Sequence, residues 1–94
     1  MSNYTCSIRI RNGQSVAMEF VLEPWGETYA IPPGAMFLVT FSAPKLGEPE
    51  VKSAQDCITV YGWVGSTAKL FHDGTELGAG TRPRGAVPPI PGNS

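Results

Sequence analysis

The chain is poor in the side chains that do chemistry. It holds one histidine, His72, and two cysteines, Cys6 and Cys57, in 94 residues. A blue-copper centre on a β-sandwich takes two histidines and a cysteine, so a single histidine excludes it. A structural zinc site would have to combine Cys6, Cys57, His72 and a carboxylate, and no paired-ligand spacing supports that. His72, next to Asp73-Gly74, reads as a solvated turn residue. Charge of one sign is lacking too: the formal net charge is −1 and acids and bases are interspersed. That leaves no footprint for nucleic acid or an anionic membrane. No run approaches the roughly 18 apolar residues of a membrane helix. The first residues carry neither a charged n-region nor an apolar h-region, so no secretory signal is visible and the expected compartment is the cytoplasm. There the two cysteines are expected to stay reduced and packed.

Proline is present, but never where a central strand would need an N–H. Residues 4–11, 15–23, 35–42, 57–61 and 67–71 are proline-free, and Pro24, Pro32, Pro33, Pro44 and Pro49 lie between them. Since proline cannot donate to a ladder, this spacing marks the free stretches as strands. Their apolar residues recur in steps of two. Tyr4, Cys6, Ile8 and Ile10 alternate with Thr5, Ser7, Arg9 and Arg11, giving one buried and one wet face. Val16, Met18, Phe20 and Leu22 share a face in the next segment. Residues 35–42 are apolar on both parities, Phe37, Val39 and Phe41 against Met36 and Leu38. This predicts a central strand covered on both sides. Cys57 falls opposite in parity to Ile58 and Val60, on the less apolar face, whereas Cys6 faces inward; only a bulge would let the two pair.

Turn chemistry supplies the joints. Asn12-Gly13 predicts a hairpin between the first two strands. Glu23–Glu27 reads as a turn, with Thr28–Ile31 a short strand after it, and Pro33-Gly34 as a type II turn. Ala43–Glu50 is a polar loop, Val51–Ser53 a brief edge strand and His72–Thr75 a further turn. Gly62 and Gly65 flank Trp63 and imply a tight bend under a large ring. Six or seven short strands result, and the fold class is all-β: a small antiparallel β-sandwich or partly open barrel over residues 1–77. Residues 78–94, rich in glycine and proline, read as a C-terminal tail.

Three motifs, Glu23-Pro24-Trp25-Gly26-Glu27, Pro32-Pro33-Gly34 and Val60–Thr67 (VYGWVGST), resemble those of a group of short bacterial β-rich proteins to which no function is assigned. The likeness spans about residues 15–77. It implies a small bacterial β-domain and carries over no substrate, cofactor or active residue.

No catalytic constellation is visible. Ser66, Thr67 and His72 are close in sequence, but a hydroxyl beside Gly65 commonly caps its own turn. Glu23 and Glu27 flank Trp25 and could form an acid–base pair, or simply solvate a turn. The aromatics are the most suggestive set. Trp25, Tyr29, Tyr61 and Trp63 gather around two turns as the candidate interaction surface. A structural alternative has the tryptophans plug an end of the sandwich with their N–H groups bonded to backbone. In the tail, Pro88 and Pro91 satisfy a PxxP spacing. The expected function is a non-catalytic protein-interaction or structural β-domain without metal or cofactor, contacting a protein partner or itself as a homo-oligomer. The alternative is a small-molecule or carbohydrate-binding module using Trp25 and Trp63.

Overall fold

The computed structural model describes residues 3–78 and Val87. Eight strands follow one another: β1 Tyr4–Arg11, β2 Met18–Glu23, β3 Glu27–Ile31, β4 Met36–Ala43, β5 Glu50–Ala54, β6 Cys57–Tyr61, β7 Thr67–His72 and β8 Thr75–Leu77. They form two four-stranded sheets, ordered β1-β4-β7-β8 (sheet A) and β3-β2-β6-β5 (sheet B). The fold is therefore an open β-sandwich, with the brief edge strand expected at Val51–Ser53 present as β5. Pairing is antiparallel except for β2 with β6, which run parallel with Phe20 opposite Ile58. That parallel pair departs from the all-antiparallel expectation.

Side-chain parity decides the layers. Ile10, Phe20, Leu22, Ile31, Phe37, Val39, Phe41, Val60, Ala68 and Leu70 turn inward and make the core. Burying each large member stabilises the fold by roughly 1.5–3 kcal/mol relative to exposure. Phe20 and Phe37 meet edge to face, with centroids 5.7 Å apart. Cys6 takes the inward parity of β1, and Cys57 the outward parity of β6. Both cysteines are free.

The expected Asn12-Gly13 hairpin does not form. β1 pairs with β4 instead of β2, and Gly13 is not among the glycines with positive φ. The dipeptide is spent on a crossing between sheets. Asn12 is fully buried. Its Nδ2 donates to the Val16 and Ile31 carbonyls at 2.8 and 2.9 Å, while its Oδ1 accepts the Gln14 N–H at 2.9 Å. Its main chain is bonded on both sides as well, N–H to the Ala35 carbonyl and carbonyl to the Gly34 N–H. One amide thus latches the β1–β2 crossing to the β3–β4 crossing. Val16, expected in a strand and facing inward, lies in that crossing and is 57% exposed.

Other joints follow the sequence. The Ala35 N–H reaches the Pro32 carbonyl at 3.0 Å and Gly34 has φ +75°, the geometry of a type II turn. Asp73 and Gly74 both take positive φ between β7 and β8, as a type I′ hairpin requires. The Glu23–Pro24 peptide is cis, and Gly26 has φ +72° in the β2–β3 turn.

Candidate interaction surface

The four aromatics singled out in sequence separate into three places. Trp25, half-buried on the β2–β3 turn, stacks on Phe41 with centroids 6.5 Å apart. Trp63, between β6 and β7, tilts onto the same Phe41 at 5.6 Å. These two cap one end of the sandwich, and their contacts are the consequence of two glycines. A Cβ on Gly62 would stand 2.8 Å from the Trp25 ring, and one on Gly47 would stand 2.2 Å from the Trp63 ring. Trp63 Nε1 donates to the Lys45 carbonyl at 3.3 Å. The β4–β5 loop is thereby fastened to the β6–β7 crossing. Tyr29 lies elsewhere, edge-on to Phe37 at 6.4 Å, with its hydroxyl donating to Glu27. Tyr61 takes the outer face of sheet B beneath the Lys52 ammonium, 5.5 Å from the ring centroid.

This geometry gives Trp63 the plug arrangement. Trp63 has Phe41 against it and the Gly47 backbone pressed on its ring, with its N–H bonded to main chain.

The polar groups weighed for catalysis are likewise engaged in structure. The buried Ser66 hydroxyl donates to the Trp63 carbonyl at 2.6 Å and accepts the Trp63 N–H at 3.0 Å. Thr67 Oγ1 donates to the Ser42 carbonyl. His72 is at the far end of β7, against Phe37 with centroids 5.3 Å apart and 3.5 Å from the Asp73 carboxylate. Glu23 takes the outward parity of β2, whereas Glu27 takes the inward parity of β3 with Tyr29 and Ile31. The two carboxylates flank Trp25 in sequence but stand on opposite faces of sheet B. Among the described residues no three of His, Cys, Asp and Glu converge as a metal would require. Cys57 lies beside Glu19, its direct partner in the parallel ladder. Partial desolvation and a hydrogen bond with Glu19 push its thiol above the usual range.

The surface that the aromatics drew attention away from is the outer face of sheet A. β4 does not have a second covering layer among the described residues, contrary to the expectation for residues 35–42. Its outward Met36 and Leu38 are joined by Phe71, which pairs with Leu38 across the β4–β7 ladder. With Asp73 and Gly74 they line an open cleft of about 380 Å³. Ladder pairing fixes the rest of the face. Arg9 and Arg11 of β1 stand opposite Leu38 and Met36, and Glu76 of β8 stands opposite Phe71. The sequence signal for this site was the double-sided apolar character of residues 35–42.

The proposed tail, residues 78–94, lies outside the described residues except for Gly78 and Val87, and the PxxP motif falls wholly outside them. Val87 exchanges two backbone hydrogen bonds with the Gly65–Ser66 turn, at 2.8 and 3.0 Å. No helix among the described residues is long and apolar enough to cross a membrane. No protein family, curated protein or solved structure matches the chain.

Proposed function

We propose that this chain is a non-catalytic protein-interaction domain of the bacterial cytoplasm, and that its contact surface is the outer face of sheet A. One observation carries this reading: Met36, Leu38 and Phe71 stand side by side on the outward face of two adjoining strands, around an open cleft. Outward positions of a sandwich are normally polar, and adjoining large apolar residues there mark a contact surface. A charged border of Arg9, Arg11, Lys69, Asp73 and Glu76 surrounds the apolar centre, the arrangement that protein interfaces favour. Two unpaired thiols accord with a reducing compartment. The reading shifts the contact away from Trp25, Tyr29 and Trp63, whose rings pack on Phe41 and Phe37, and from Tyr61, which lies on the outer face of the other sheet beneath Lys52.

The test is site-specific photocrosslinking in the native cell. A photoreactive phenylalanine analogue replaces Phe71 in one strain and the loop residue Leu46, 77% exposed, in another. Discrete protein adducts at position 71 and none at 46 are expected. Absence of adducts at 71, or identical adducts at both, overturns the assignment.

A further inference from the structure

The face just described has a polarity that selects its partner. β1 forms one margin of sheet A and β8 the other. Both arginines, Arg9 and Arg11, line the β1 margin and are exposed. The acids, Glu76 and Asp73, line the β8 margin and the adjoining turn; Lys69, exposed on β7 and paired with Thr40, is a cation on that half. Met36, Leu38 and Phe71 lie between. Among the described residues neither arginine is held in an ion pair, and Asp73 meets only His72.

Resting on the interaction-face reading above, we propose that the occupant of this face is a second copy of the chain, docked face to face about a two-fold axis parallel to the strands. Such an axis passes over the apolar strip and lays β1 of each copy over β8 of the other. Arg9 and Arg11 of one protomer then oppose Asp73 and Glu76 of its partner, and symmetry repeats that match on the other side. The same two-fold lays Lys69 over the uncharged Thr40 level of the partner, away from both arginines. The surface is self-complementary, as an isologous dimer requires. An axis perpendicular to the strands would instead stack one arginine margin on the other, which like-charge repulsion disfavours. The strands of the two facing sheets then run in the same general direction, the aligned mode of sheet packing.

Interface size sets the strength. Four strands about 4.8 Å apart and six residues of rise give a face of about 400 Å² per copy. A total near 800 Å² is below the roughly 1,200 Å² of stable specific interfaces and places this dimer in the weak, transient class, for which a dissociation constant of about 10–100 μM is the working value. Its electrostatic part weakens with salt, because rim charges are screened within about 10 Å at 0.1 M ionic strength.

Analytical ultracentrifugation of the full chain, from about 5 to 500 μM to bracket that constant, tests the dimer with two variants. One is the double reversal Arg9→Glu with Arg11→Glu; the other is Asp73→Lys with Glu76→Lys. The wild type should pass from monomer to dimer over this range. Each variant alone should associate at least about tenfold more weakly, and an equimolar mixture of the two should recover dimerisation as a heterodimer. Unchanged circular dichroism of both variants establishes that folding is intact. A wild type that stays monomeric throughout, or association that neither reversal weakens, or a mixture that recovers nothing, overturns the dimer. If the chain stays monomeric while position 71 still crosslinks to a different protein, the dimer fails and the interaction face stands. If it stays monomeric with Leu38 and Phe71 shielded and uncrosslinked, both fail in favour of the chain's own residues 79–94.

Discussion

The side-chain amide of Asn12 donates to the carbonyl of Ile31, 2.9 Å away and nineteen residues later in the chain. Through this bond a buried polar group joins the end of a sheet A strand to the end of a sheet B strand. The same residue also holds Val16, Gln14, Gly34 and Ala35. At the opposite end of the sandwich Trp63, Gly47, Gly62 and Ser66 do the corresponding work. The two layers are thus latched at both ends, by an amide at one and by an aromatic ring at the other.

Replacing Asn12 tests the amide latch. Asn12→Ala leaves two carbonyls and one N–H without their partner, and should destabilise the fold by about 2–4 kcal/mol. Asn12→Asp should cost at least as much near neutral pH, because it turns a donor into an acceptor facing two carbonyls. Urea denaturation of the three proteins measures both effects. A loss under about 0.5 kcal/mol would remove Asn12 from this role.

Gly47 tests the aromatic latch. Gly47→Ala places a methyl group 2.2 Å from the Trp63 ring, so the ring or the loop must move. The expected cost is about 1–3 kcal/mol, with red-shifted Trp63 emission in a Trp25→Phe background. An unshifted spectrum and unchanged stability would show that the loop absorbs the methyl freely.

Neighbouring residues of β4 should respond oppositely to the same substitution. Val39 is fully buried, and Val39→Asp should prevent folding by placing an unpaired carboxylate in the core. Leu38→Asp points outward and should cost about 1 kcal/mol or less. Thermal melts followed by circular dichroism distinguish them. Equal damage would mean that Leu38 is covered within the folded chain.

Cys57 predicts a pH dependence. Its raised pKa means that alkylation, which needs the thiolate, should have its pH–rate midpoint above the ordinary thiol value. Glu19→Gln should lower that midpoint and speed labelling at a fixed alkaline pH. For stability the sign runs the other way from a carboxylate. A thiol that holds its proton more tightly when folded stabilises below the unfolded pKa, and that contribution fades as pH rises through the folded one. Labelling rates insensitive to Glu19→Gln would disconnect the pair.

Local rules made the layers legible. The two-residue period assigned Phe37, Val39 and Phe41 to the core and turned Cys57 outward, and Pro33-Gly34 and Asp73-Gly74 gave their turns by φ preference alone. Partner choice was not legible in the same way. Asn12-Gly13 carries the local signature of a hairpin, but Asn12 gains more from three main-chain partners, Ile31, Gly34 and Ala35, that only a distant segment makes available. The parallel β2–β6 pair has no turn to announce it. The exposed apolar side of residues 36–38 was visible as composition, and was assigned a cover because periodicity reports which residues share a face, not what lies beyond it.

The pairing of Phe20 with Ile58 also governs when this protein can acquire its shape. β1 leaves the ribosome first, yet its ladder partner β4 is synthesised some thirty residues later, and the middle of sheet B cannot close until β6 has emerged. Nascent chains shorter than about sixty residues beyond the exit tunnel therefore lack a complete layer to collapse onto. The inner ladder of sheet B is deferred until β6 has been made, and β2 waits for it over more than thirty residues.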